Sequence, residues 1–124
     1  MRTGRVKAPL VYGPEQTFEV GKSVELIPGS DVTLMAHGLL VAESIRASEA
    51  LASEGISARV VDMYSIKPLD LDAIRRAAAE TGAIVVSEEH LVDGGLGVRV
   101  AQAVAGLHPC VMEFVGLTDY AESG

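Results

Sequence analysis

Tryptophan is missing, and three Tyr and two Phe are the only residues of the Phe, Trp and Tyr class. The core must therefore be aliphatic, built from Val, Ile, Leu and Ala. The single cysteine, Cys110, excludes an intramolecular disulfide and a cysteine-rich metal site, and a reduced, cytoplasmic setting is the expectation. No apolar run approaches the ~18–20 residues of a membrane span. Basic residues near the start have no apolar stretch behind them, so no signal peptide is expected. Positive charge is also in short supply. The balance is −7, which argues against a nucleic-acid or anionic-membrane surface. What is present is a 48% apolar chain of 124 residues, enough for one domain with a real core.

Residues 1–22 differ from the rest. Arg2, Arg5 and Lys7 make a basic start, and Pro9, Gly13 and Pro14 punctuate it. This segment reads as a linker or arm lying on something else, and 23–124 as the folded domain. From there a strand over 23–27 is followed by the turn Pro28-Gly29-Ser30-Asp31 and a buried-type strand over 32–36 that ends at His37-Gly38. A helix is predicted over 39–54, with Leu40, Ser44, Ala47 and Leu51 on one face and Gly55 as its stop. The unit then recurs: a strand over 58–62, a helix over 71–81 started by Lys67-Pro68-Leu69-Asp70, a strand over 83–87, a helix over 96–106 and a strand over 109–115.

Strands alternating with helices of about 10–15 residues predict an α/β fold of three layers, α/β/α. The four-residue turn after the first strand is too short for a parallel crossover, so the first two strands are antiparallel or not neighbours. The expected sheet has five strands and is mostly parallel, with one antiparallel strand.

The stretch Ser87-Glu88-Glu89-His90 ends a strand, and Gly94-Gly95-Leu96-Gly97 opens a helix. Ligands on α/β sheets collect at such carboxyl ends, and glycines before a helix let backbone N–H groups face an anion. The spacing nevertheless fails the Gly-x-Gly-x-x-Gly fingerprint, and no Lys-Ser/Thr follows to make a phosphate loop. The glycines suit a tight turn and close helix–sheet or subunit packing. Glu88, Glu89 and His90, with His37 past a neighbouring strand, could do acid–base work or hold a metal. Consecutive residues on a strand point in different directions, so interface hydrogen bonds are the favoured use. The candidate interface residues are thus His37, Glu88, Glu89, His90, Gly94, Gly95 and Gly97. Cys110 has only His108 near it in sequence to stabilise a thiolate. Asp62, at a strand end, reads as a helix or turn cap. Asp70 and Asp72 suit the start of the helix that follows.

Five ordered segments resemble one family, the C-terminal domain of the thiamine-diphosphate-dependent transketolases. They are 29–38 (Gly-Ser-Asp-Val-Thr-Leu-Met-Ala-His-Gly), 52–63, Ser65-Ile66-Lys67-Pro68-Leu69-Asp70, the Glu-Glu-His…Gly-Gly-Leu-Gly stretch, and the closing Asp119 with Glu122-Ser123-Gly124. The arm segment 15–22 is similar to the family's linker, so the resemblance covers nearly the whole chain. His37 stands where the family often has Thr.

The resemblance implies a domain that helps build a dimer or other oligomer with thiamine-diphosphate-binding domains or subunits. The complete enzyme would move a two-carbon ketol unit between sugar phosphates, using thiamine diphosphate and Mg²⁺. The family's Gly-Asp-Gly…Asn cofactor motif has no counterpart here: the chain contains no Asn, and Asp93-Gly94-Gly95 is not that motif. This chain is thus expected to bind no cofactor or metal itself, to contribute no catalytic residue and to be inactive alone. Two alternatives are a third domain of a 2-oxoacid dehydrogenase E1 β-chain or of deoxyxylulose-phosphate synthase, and an orphan, non-enzymatic interaction module.

Overall fold

The computed structural model describes residues 7–120. Its elements are β1 (Val24–Ile27), β2 (Val32–Ala36), α1 (Leu39–Ser53), β3 (Ala58–Asp62), α2 (Leu71–Thr81), β4 (Ala83–Leu91), α3 (Leu96–Leu107) and β5 (Val111–Leu117). They form one five-stranded sheet of order β1-β3-β2-β4-β5. All neighbouring pairs are parallel except β1 with β3. The short turn after β1 thus sends the chain past β3 rather than into a hairpin with β2, and both halves of the expectation for the first strand hold.

Alternation along the strands divides the core between two faces. Met35, Val61, Ile84 and Val86 pack with Ile74, Ala77 and Ala78 of α2 and Leu96, Val100 and Val104 of α3. On the other face Leu34, Ala58 and Val60 pack with Ile45 and Leu51 of α1. None of the buried core residues is aromatic, in keeping with the composition. α1 leads from β2 to β3 on one side, and α2 carries the chain from β3 back past β2 to β4 on the other. The carboxyl ends of β2 and β4 therefore flank the switch point of the sheet, the usual place for a crevice.

Two local expectations are revised. In α1 the inward residues are Val41, Ala42, Ser44 and Ser48, whereas Ala47 is exposed. Ser48 tolerates burial because its hydroxyl donates to the Ile45 carbonyl at 2.7 Å, and Ser44 shares a hydrogen bond with Ser87 at 3.1 Å. β4 runs on to Leu91 instead of stopping at Ser87, because its pairing with β5 resumes at Leu91–Leu117 after an irregularity. Glu88, Glu89 and His90 are therefore strand residues.

Residues 12–23 lie against the loop after β3. The Tyr12 hydroxyl donates to Asp62 Oδ2 at 2.5 Å, the Gly21 amide to Ser65 Oγ at 2.9 Å, and the Ser23 amide and hydroxyl to Asp70 Oδ2 at 3.0 Å each. Phe18 stands edge-on between Tyr12 and Tyr64, with centroids 5.0 and 4.9 Å away.

Asp70 joins this arm to α2, since its Oδ1 also accepts the Ala73 amide at 3.0 Å as an N-cap. Burial alone would raise its carboxyl. The bonds from Ala73 and Ser23, with Lys22 nearby, outweigh burial and hold it below the usual carboxylate value. Asp70→Ala should cost about 1–2 kcal/mol, read as a lowered urea midpoint at neutral pH. Because the folded-state value is depressed, this contribution is full above about pH 3.9 and fades as pH falls through the folded value. The stability gap between wild type and variant should therefore shrink on acidification; a gap constant down to strong acid would contradict the assignment.

Candidate functional site

The site grows from the end of β4. Ile84, Val86 and Glu88 share the face covered by α3, so the strand that builds the core also delivers a carboxylate to the start of that helix. Glu88 is 4% exposed. Its Oε2 accepts the Leu96 amide at 2.8 Å and its Oε1 the Gly97 amide at 2.9 Å. The N-cap of α3 is Gly95, which has no side chain to satisfy these amides. The fold supplies the missing anion from another element, where the helix dipole favours negative charge.

The glycines are there for different reasons. Gly94 has φ +87, a turn conformation that favours glycine. Gly95 has φ −87 and ψ −159, extended backbone open to any residue. What excludes a side chain is space: a Cβ there would fall 2.2 Å from Glu88 Oε2. At Gly97 a Cβ would fall 2.6 Å from Phe114 Cδ1 of β5. Gly95 and Gly97 thus let the carboxylate and the β5 ring sit against the first turn of α3.

His37 follows β2, and the Ala36–Ser87 register pair sets it beside Glu88. Its Nε2 lies 3.8 Å from Glu88 Oε2. Glu89 is exposed, and His90 is half-buried with Nδ1 2.9 Å from the Leu91 carbonyl, so the ring N–H serves its own strand. Glu88, Glu89 and His90 do not converge on one point. Among the described residues no group of three or more His, Cys, Asp or Glu is placed to hold a metal ion. Cys110 is half-buried, and burial pushes its thiol up, away from the thiolate that reacts. His108 is exposed just past α3.

A diphosphate on such a sheet would be sought at the start of α3. The residues there do not fit one. Glu88 already uses the Leu96 and Gly97 amides and occupies the room that Gly95 leaves, and a second anion would face a buried carboxylate.

Two roles were not legible in the sequence. Asp62 is not a cap. It is buried and accepts Tyr12 from fifty residues away, a pairing no local pattern announces. Burial raises its carboxyl, and the Tyr12 bond and the nearby His37 offset part of that rise. For Glu88, the available signal was a helix opening on Gly-Gly with no capping side chain, which requires an acceptor from elsewhere.

Glu88→Ala strands two buried amides and should cost about 1–3 kcal/mol. Gly95→Ala should cost a similar amount, about 1–3 kcal/mol, by overpacking the carboxylate. In the double variant the methyl enters space that the carboxylate has vacated, so the combined loss should be clearly less than the sum. Urea unfolding of the four proteins measures this; strict additivity would show that the two positions do not meet.

The model of the transketolase C-terminal domain family matches residues 21–123. The chain is similar to one subunit of an apulose-4-phosphate transketolase from Phocaeicola vulgatus, 42% identical over 120 residues, covering 96% of this chain and 38% of that protein. It is also similar to a putative transketolase C-terminal section from Methanocaldococcus jannaschii, 37% identical over 129 residues, covering all of this chain and 40% of that protein. A solved structure described as a split gene transketolase, inactive beta4 tetramer, matches with a TM-score of 0.92 at 43% identity, covering 94% of this chain and 39% of that one. This chain spans about two fifths of the length of these relatives. Family model, sequence identity and fold agree: the chain belongs to the transketolase C-terminal domain family.

Proposed function

We propose that this chain is the assembly module of a transketolase whose other domains or subunits hold thiamine diphosphate and Mg²⁺. In this reading the complete enzyme moves a two-carbon ketol unit between sugar phosphates, acts in the cytoplasm and works as an oligomer. Residues 1–22 serve as the connecting arm and 23–124 as the docking domain. No described helix is long and apolar enough to cross a membrane.

The observation that carries this reading is the state of β5. It is an edge strand, paired only to β4. Parallel register puts Val111 and Val115 on the α1 face of the sheet, opposite Ala83 and Ser87. α1 packs over β2, β3 and β4 and leaves that part of the face bare. Val111 is 74% exposed, Val115 51% and Leu117 46%, with Glu113 the one charged residue of the strand. A bare edge bordered by branched apolar side chains is a surface built to be covered. The internal use of Glu88 points the same way, because it removes the anion site through which an α/β domain could act alone. Relatives named as a transketolase subunit and as a C-terminal section support an incomplete piece of a larger enzyme.

The test is co-purification of the tagged chain from its native extract, followed by assay of the complex. A stoichiometric partner that binds thiamine diphosphate and transfers ketol units from xylulose 5-phosphate is expected. Val115→Lys, at an exposed position, should weaken that complex by about tenfold or more while leaving the chain's own melting temperature unchanged. A chain that elutes alone, or a complex that decarboxylates pyruvate instead, would overturn the proposal.

A further inference from the structure

β5 is paired on one side only, and its outer backbone has a definite direction. Along a strand, successive residues turn their N–H and C=O groups to opposite sides. The Leu117 carbonyl faces β4, where it accepts the Val92 amide at 2.9 Å. Met112, Phe114 and Gly116, out of step with it, therefore hold their backbone groups outward. The Phe114 amide agrees: it donates to the exposed Glu113 carboxylate of its own strand at 3.2 Å. A contact of that kind exchanges at little cost for a carbonyl.

This edge is complementary to itself. Phe114 is the middle residue of β5. A two-fold axis there sets two copies of the strand antiparallel, with Phe114 opposite the partner's Phe114 and Met112 opposite the partner's Gly116. These are the outward-facing residues, so each exchanges both of its bonds with the residue it meets. The side chains agree. On the α3 face the two Phe114 rings meet at the axis, and each Met112 covers a glycine. On the α1 face Val111 opposes the partner's Leu117, and Glu113 opposes the partner's Val115. An axis one residue earlier would instead set two Glu113 carboxylates face to face.

The helix beside this edge carries the same message. α1 turns Glu43, Arg46 and Glu49 to solvent, and α2 turns Asp72, Arg75 and Arg76. α3 has one charged residue, Arg99, and its Nε is bonded to the Ile66 carbonyl at 3.1 Å. The outward positions of α3 include Val98, Gln102 and Ala105. A helix with no charged outer face is normally a covered one. Gly97 lets the Phe114 ring, 38% exposed, lie against the first turn of α3, so edge, ring and helix make one surface. In a chain of net charge −7, two copies can meet here with few facing charges.

We propose that β5 pairs with β5 of a second copy of this chain, antiparallel about a two-fold axis at Phe114, joining the two five-stranded sheets into one continuous sheet. The contact is isologous and closes on itself, so no free edge is left at β5. The α1 face of β5 stays open, and a cofactor-holding subunit can dock there while the edge is occupied. The pairing concerns this chain alone and does not depend on the proposed role in a transketolase.

The test is sedimentation equilibrium of the full chain, joined to amide hydrogen exchange. A dimer that dissociates in the micromolar range is expected, as suits a short interface. Raising the concentration from about 1 to about 100 µM should slow exchange at the amides of Met112, Phe114 and Gly116, which the pairing newly bonds. Val115 reads the register. Val115→Lys sets an ammonium against the partner's Glu113 and should keep the dimer constant within about threefold. Val115→Glu sets carboxylate against carboxylate twice and should weaken the dimer by about tenfold or more. Position 115 is exposed, so neither variant should shift the melting temperature of the chain. A chain that stays monomeric at about 100 µM, protection confined to other amides, or equal weakening by Lys and Glu would each overturn the proposal. A dimer of the expected behaviour that recruits no cofactor-holding subunit would support the pairing and count against the assembly role.

Discussion

The buried carboxylate of Glu88 is the contact on which the carboxyl edge of this sheet depends. It ends the hydrophobic run of β4, turns toward α3 and satisfies two amides that Gly95 cannot cap. A charge this deeply buried is tolerable only when paired or fully hydrogen-bonded, and here two backbone donors and the helix dipole serve it, with His37 alongside. Several other choices follow from it. Gly95 is bare because the carboxylate fills the space of its side chain, and Gly97 is bare so that the Phe114 ring of β5 can approach. At the start of α3, one place where a doubly wound protein would receive an anion, the chain's own carboxylate already holds the amides.

That internal use of Glu88 changes what the domain can do. The polar groups that look catalytic in a line of sequence serve separate structural ends: Glu88 holds α3, His90 bonds its own strand, and Glu89 faces outward. The exposed chemistry lies elsewhere, on the bare side of β5 and in the cleft beneath the arm. These are two kinds of surface. β5 offers backbone and branched apolar side chains, which suit a protein partner. The cleft is lined by the arm and the carboxyl edge of the sheet together, with Tyr12 and Asp62 joined across it.

The arm joins these regions. Tyr12, Phe18 and Tyr64 contain most of the aromatic surface of an otherwise aliphatic protein, and they are stacked where the arm meets the loop after β3. Asp62 accepts the arm's Tyr12, and Asp70 bonds Ser23 of the arm on one side and the first turn of α2 on the other. A segment that looks like a connector in sequence is thereby fixed against the same edge that carries the cleft.

Much of the fold was legible because its determinants are local. Alternating and continuous apolar runs marked the strands, Gly55 marked the end of the first helix, and a four-residue turn ruled out β2 as a parallel neighbour of β1. The family resemblance was legible for the same reason, since its segments are contiguous. The site was not. The amphipathic reading of α1 favoured Ala47 over Ser48 because hydropathy counts side chains and ignores the backbone carbonyl that satisfies a buried hydroxyl. β4 outran its apolar run because pairing with β5 resumes beyond it. Glu88 with the amides of α3 and Tyr12 with Asp62 are both meetings between distant segments. The sequence by itself determined the elements, their order and the family. Only the tertiary structure decided which polar groups are already satisfied and which are left open, because that depends on which carboxylate reaches which helix end once the strands take their register.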